Sequence, residues 1–274
     1  TLGQDIIKTK DFDWTATANF SLNRGRVKSL PDQIVQIDGT NYGGIYPTAF
    51  LGGSSTGITG KDYLRNENGD VICDENGYPL IDTSKQLYIG NREPDFLLGL
   101  GSNFRYKELT ASFLFDGRCG GDVVNITGSS LISNGQHHLY DKYRNREVVF
   151  NGVVKNADGT YSPNTTPIIL DQTTVNKYFY PVSSNFIEDG SYIRLSYVTL
   201  AYDFGKLMKK AGSKNPIKGL RASLTGRNLF LLTKYTGSDP QVMPAATGGG
   251  GSMGIDEFSV PATRSFNFNV NVTF

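Results

Sequence analysis

Side chains able to do chemistry are few and poorly spaced for it. His137 and His138 are adjacent. In an extended chain neighbouring side chains point apart, so the pair is a poor start for a metal site and reads as part of a solvated loop. Asp70, Asp74 and Glu75, beside Asn66 and Asn68, suggest a calcium loop. The pattern lacks the glutamate that closes an EF-hand at its twelfth position, so no metal is assigned. Thr247 to Ser252 reads TGGGGS, with no Lys-Ser/Thr after it, and is a flexible tip rather than a phosphate loop. Cys73 and Cys119 have neither metal nor redox spacing; they read as two unrelated thiols, or as a disulfide in an oxidising compartment. No nucleophile motif is present, and the sequence is read as that of a non-enzyme without a cofactor. Aromatic and basic residues in the long loops remain as candidate substrate contacts: Tyr42, Tyr46, Tyr63, Tyr140 and Tyr143, with Arg92, Arg118, Arg144 and Arg146. Such rings can stack on sugars or hold peptide. The alternative is that they pack the loops against one another or onto a partner protein.

The elements that would carry these loops announce themselves by a two-residue beat. FDWTATANFSLN sets Phe12, Trp14, Ala16, Ala18, Phe20 and Leu22 against Asp13, Thr15, Thr17, Asn19, Ser21 and Asn23. FLLGLGSNFRY, LTASFLFD and LRASLTGR repeat the pattern, and the chain closes on Phe266, Phe268, Val270, Val272 and Phe274, alternating with Asn267, Asn269, Asn271 and Thr273. In YIRLSYVTLAYDF the apolar parity changes beyond Tyr197, which predicts a β-bulge there. Asp13, Arg105, Asp116, Arg194, Arg221 and Arg227 all fall on the polar side. A membrane would enforce that rule, since Arg or Lys on a lipid face costs about 2–4 kcal/mol at mid-bilayer. Net charge is +1 over 274 residues, which gives no pull toward nucleic acid.

Connection lengths segregate. Lys8 to Asp11, Tyr106 to Glu108 and Gly205 to Gly219 are short or moderate. Lys28 to Asp95, Ile126 to Ser191 and Lys234 to Thr263 are long, well beyond the ~12–15 residues at which structureless loops become rare. If strands run up and down, all long connections lie at one end. That is the arrangement of an outer-membrane barrel, and a soluble sandwich has no reason to adopt it. The expected class is all-β: an antiparallel up-and-down transmembrane β-barrel segment with long extracellular loops. Inside those loops Asn68-Gly69, Asn76-Gly77 and Asp158-Gly159 predict tight hairpins.

Three segments resemble one family. EDGSYIRLSYVTLAYDF, LTGRNLFLLTKYTGSDPQV and IGNREPDFLLGLGSNFRYKELTASFLFDGRCGGDVVN are similar to segments of the SusC/RagA-type TonB-dependent outer-membrane transporters. Val124 and Gln241 depart from the family pattern, where an aromatic and an acidic residue are usual. The resemblance implies that 1–274 is the C-terminal part of the barrel, about the last six of 22 strands preceded by the end of a seventh at Leu2 to Ile7, without the plug domain. The opening TLGQDIIKTKDFDW, which starts as though inside a strand, agrees with that expectation. It further implies an outer-membrane location and active import of oligosaccharides or peptides, energised by TonB. The implied partners are the remaining barrel and plug, a SusD-like surface lipoprotein lid, the TonB complex and outer-membrane lipid, with no nucleic acid. Phe266 to Phe274 would be the barrel-closing strand. The alternatives are a passive porin-like channel and a soluble carbohydrate-binding β-sandwich.

Overall fold

A computed structural model of the chain describes residues 1–31, 34–138, 143–210, 216–241 and 253–274. β1 (Leu2–Lys8) and β2 (Phe12–Ser21) form a hairpin. A first excursion follows, holding β3 (Gln36–Asp38), β4 (Tyr46–Phe50), β5 (Gly57–Gly60), β6 (Ile72–Cys73) and β7 (Leu87–Asn91). β8 (Phe96–Tyr106) and β9 (Leu109–Cys119) return down and up. The second excursion carries β10 (Asp122–Asn125), a helix at Ile126–Ser133, β11 (Glu147–Val149), β12 (Val153–Lys155), β13 (Tyr161–Pro163), β14 (Pro167–Ile169), a helix at Gln172–Tyr178 and β15 (Ile187–Asp189). β16 (Tyr192–Asp203) and β17 (Gly219–Thr233) make the next pair; the third excursion holds β18 (Ile255–Asp256), and β19 (Ser265–Thr273) ends the chain.

The long strands lie in the order β1-β2-β8-β9-β16-β17-β19, each antiparallel to its neighbour. Every strand therefore pairs with the next long strand in sequence, and this is an up-and-down section of barrel wall. All three excursions leave from one end of it. At the other end β8 turns into β9 through Lys107 and Glu108, with Lys107 at φ 53, the positive φ that tight two-residue hairpins need.

Register explains why the beat matters. Ile7, Trp14, Phe104, Ala111, Leu200, Leu224 and Phe268 face one another in an unbroken row across all seven strands. The adjacent row, one residue along, is Asp13, Arg105, Thr110, Ala201, Ser223 and Asn269. One face is thus an apolar band and the other a ladder of Thr, Asn, Ser and paired charges, including Arg105 with Asp13 and the hydroxyls of Thr199 and Thr225 at 2.8 Å. Trp14 stacks on Phe104 at 5.5 Å, and Phe104 and Phe113 extend the aromatic patch across the next strand. Among the described residues nothing covers this face: Phe266 and Phe268 are 67% and 70% exposed. A sandwich would have buried them.

The bulge expected near Tyr197 is present, with the register slipping between Leu195 and Tyr197 against both neighbours. β17 accommodates it with Asn228 at φ 52, whose side chain donates to the Thr263 carbonyl at 2.9 Å. The strand expected at Leu2 to Ile7 is β1, Leu2–Lys8, with a second slip between Asp5 and Ile7 that breaks its beat.

The excursions fold into one another. β6 pairs in parallel with β12, and β10 in parallel with β18, so the second excursion is stitched to both of the others. Their common core contains Tyr42, Ile45 and Ile58 from the first, Val124 and Phe186 from the second, and Ile255 from the third. The three hairpin signals are met: Gly69, Gly77 and Gly159 all sit at positive φ in tight turns, and β12 and β13 pair about the last of them. In the first two turns Asn66 Oδ1 accepts from the N–H groups of Asn68 and Asp70, and Asp74 Oδ1 from those of Asn76 and Tyr78. These side chains are spent on shaping the turn.

Cys73 and Cys119 are both free thiols, one buried in the excursions and one on the wall. Burial pushes the Cys73 thiol up to about 11, with Asp74 adding to the effect. At pH 8 its thiolate is then about one part in a thousand, and the thiolate is the nucleophile. Because the folded value is raised, the neutral thiol's contribution to stability is complete below its ordinary range near 9 and is lost as pH climbs through about 11. Maleimide labelling of native protein at pH 8 should leave Cys73 unmodified and accelerate with alkali toward that value. Rapid labelling at pH 7 would contradict the burial.

Candidate functional site at the loop end of the wall

Where the wall meets the excursions, the polar face carries a cluster of charges. Asp116 and Arg194 are direct neighbours across β9 and β16, as are Arg118 and Tyr192. The third excursion drops onto this patch. Arg194 Nη2 donates to Asp239 Oδ1 at 2.6 Å, and both side chains are almost wholly buried, 7% and 6% exposed. The Arg194 guanidinium also lies 5.4 Å from the Tyr192 ring centre, and the Gln241 amide donates to the Tyr192 hydroxyl. Asp239 Oδ1 accepts the N–H of Gln241 as well, at 2.9 Å, which shapes the turn around Pro240.

A second layer lies above. Glu188 accepts from Asn125 at 2.7 Å, from the Thr236 hydroxyl at 2.8 Å and from the Thr236 N–H at 2.7 Å. Tyr235 donates its hydroxyl to Asp256 Oδ2 at 2.6 Å, while Thr127 donates to Oδ1 of the same carboxylate. Burial, then the Asp256 carboxylate, push the Tyr235 phenol far above its ordinary range, so it remains a donor at any physiological pH. Tyr235→Phe should therefore cost about 1.5–3 kcal/mol of local stability, the range for a hydrogen bond to a charged group. Faster hydrogen exchange over Val124–Asn125 and Ile255–Asp256 is the expected readout; unchanged exchange would count against it.

Arg118 and Arg92 are brought together by the Gly120-Gly121 corner between β9 and β10. Arg118 donates to the carbonyls of Gly120 at 3.0 Å and Arg92 at 2.9 Å. Gly121 sits at φ 77, and a Cβ there would lie 2.3 Å from the Arg118 guanidinium and 2.8 Å from the Arg92 carbonyl. The corner requires glycine on both counts. Arg92 donates in turn to the Met253 carbonyl at 2.8 Å, and burial holds its guanidinium below the usual range. Asp122, which accepts the Asn91 N–H at 2.6 Å, has its carboxyl raised by burial.

The candidate contact residues divide accordingly. Tyr42, Tyr63 and Arg92 lie inside the folded excursions, Tyr63 accepting from Asn185 Nδ2 at 2.8 Å. Tyr46, Arg118 and Tyr143 are half-buried, and Arg144 is exposed with its guanidinium on the Gly135 carbonyl. Arg146 is exposed, and Tyr140 lies outside the described residues. The structure does not gather these residues into one site. The cluster it does assemble around Arg194, Asp239, Tyr192 and Gln241 had one signal in the sequence: a charged residue on the polar side of β16, with an Asp-Pro turn 45 residues later.

No protein-family model matches the chain. Curated relatives match across 98% of it. The TonB-dependent receptor P3 of Formosa agariphila is 26% identical over 293 residues, which are 27% of that protein, and the TonB-dependent receptor SusC of Bacteroides thetaiotaomicron is 24% identical over 284 residues, 25% of it. The chain thus spans about a quarter of the length of the curated relatives it matches. Among solved structures, the RagAB peptide importer in its open-open state aligns over 99% of this chain and 28% of the solved chain, with a TM-score of 0.65 at 18% identity; a second structure of RagAB, described as a peptide transporter, gives 0.64 at 19%. These structures share the barrel-wall fold.

Proposed function

We propose that this chain, similar over almost its whole length to SusC/RagA-type TonB-dependent receptors, is the C-terminal wall and outer-loop section of an outer-membrane active transporter. The observation that carries the reading is the wall itself: a sequential meander with one continuous apolar band and every long excursion at one end. Alternating strands with short turns on one side and long loops on the other are how antiparallel barrels cross an outer membrane. Both outer edges of the sheet, on β1 and β19, have no strand partner in the described sheet. In hydrocarbon such edges are untenable, since each unpaired backbone group costs several kcal/mol. The rest of the barrel therefore completes them, with a plug filling the lumen.

The imported solute would be an oligosaccharide or a peptide, drawn through a lumen lined by the Thr/Asn ladder. The folded excursions would form the outer rim on which a SusD-like lipoprotein sits as a lid, and TonB would supply energy through the plug. What supports this is similarity to SusC and to the RagAB fold, together with a rim built as one body. The direct experiment disrupts the gene for the full-length protein and measures growth and uptake on a panel of glycans and peptides. A second arm isolates the tagged protein from outer membranes. Uptake lost on one substrate class, with a surface lipoprotein co-isolated, is the expected result. Recovery in the soluble fraction would overturn the reading.

A further inference from the structure

The apolar face of the wall is not uniformly filled. Near its loop end the row Leu98, Gly117, Ile193, Leu232 has a glycine at its second position. The neighbouring row toward the middle of the wall has Leu100, Phe115, Leu195 and Phe230 instead. The missing side chain leaves a groove of about 530 Å³, bounded by Phe96 and Leu98 on one flank and by Ile193 and Leu232 on the other, with Cys119 and Lys234 at its outer end. The groove spans β8, β9, β16 and β17. β9 and β16 are paired on both sides along the groove and β8 keeps β2 beside it as far as Leu97, while β17 is held there by β16 alone, its pairing with β19 covering Gly219–Arg227.

We propose that this groove is a binding site for one acyl chain of a phosphorylated membrane lipid in the outer leaflet, with the headgroup phosphate met by Lys234. The inference rests on the barrel reading above and adds a specific lipid site to it. Three observations choose the occupant. The groove is continuous with the apolar band, so its natural filler is hydrocarbon. It opens at the end from which the long excursions rise, the level of the outer headgroups. Lys234 is exposed there, an ammonium on a flexible stem that can lie along an apolar surface and present its charge to an anionic headgroup. Asp189 also lines the groove and feels the Lys234 charge through space, while its Oδ1 accepts both the N–H of Ser191 at 2.9 Å and its hydroxyl at 2.5 Å; no hydrogen bond ties down the Lys234 ammonium among the described residues.

The test uses the full-length protein in nanodiscs and native mass spectrometry, with phosphatidylglycerol and phosphatidylcholine as probes. Wild type should retain one phosphatidylglycerol that survives activation removing the others. Lys234→Gln should reduce that retention about five- to tenfold, with a smaller loss for phosphatidylcholine, whose own ammonium partly neutralises the same phosphate. Leu232→Trp, which fills the groove from its exposed rim, should abolish retention of both. Inorganic phosphate at millimolar concentration should not displace the lipid. Equal retention in all three proteins, or displacement by inorganic phosphate, would overturn the proposal. Failure of the wild type to enter nanodiscs would instead refute the barrel reading, so the two outcomes are distinguishable.

Discussion

Arginine at Phe268 is expected to destabilise the wall by about 2–4 kcal/mol, while arginine one residue along, at Asn269, costs little. The two positions are adjacent in sequence and opposite in environment. Phe268 lies in the apolar row beside Leu224, and Asn269 faces Ser223 on the polar side. In a membrane the first would force a guanidinium into hydrocarbon, and the second would add a cation to a wet lumen already carrying Arg105, Arg221 and Arg227. Position in the strand matters, because the penalty falls toward either interface. Full-length protein refolded into lipid vesicles and unfolded in urea, at several lipid thicknesses, measures both variants. A soluble protein that buried the Phe268 face would show the same asymmetry without any dependence on lipid thickness, so the thickness series separates the two cases, and comparable losses at both sites would sink the assignment of faces.

The second large effect concerns the ion pair that fastens the third excursion to the wall. Arg194→Met with Asp239 retained should cost about 3–5 kcal/mol, because it leaves a carboxylate buried without its counter-charge. Asp239→Asn should cost a similar amount for the converse reason, although the asparagine can still accept the Gln241 N–H. Replacing both with apolar residues should recover much of the loss, since desolvating two charges offsets most of their attraction. The pair is suited to such a cycle: both side chains are over nine-tenths buried, and the contact joins residues 45 apart in the chain. Hydrogen exchange over Tyr235–Gln241 and protease sensitivity of the third excursion give the local readout. Additive single-site effects, with no recovery in the double variant, would mean that the two side chains stabilise the rim independently.

The wall was legible in the sequence because its physics is local. Alternation of period two assigns each side chain to a face without knowledge of the partner strand. A single change of parity was enough to place the bulge at Tyr197. At β1 the strand itself was expected, at Leu2 to Ile7, but the slip between Asp5 and Ile7 breaks its alternation within seven residues, so period two alone does not assign its faces. The excursions were legible only at their turns, where Asn-Gly and Asp-Gly impose a backbone conformation by themselves. Their pairing depends on contacts between distant segments: Ile72 with Val153, Val124 with Ile255. Nothing in the strand of two residues around Ile72 signals that partner. Tyr42, Tyr63 and Arg92 illustrate the limit. Residue type alone suits either a ligand or a core, and only the surrounding chain, folded, decides which atoms they meet. Arg194 stands between these cases, since its face could be read and its partner could not.

If the protein stands in an outer membrane as proposed, the cross-excursion stitching has a consequence for its survival at a cell surface. A peptide bond cut within one outer loop would ordinarily free a floppy end and start unravelling. Here the second loop is clasped by strand pairing to the first and to the third, so a nicked rim should remain assembled and migrate as a single particle until it is denatured. Damage that an isolated hairpin could not withstand would go unnoticed by whatever rests on top.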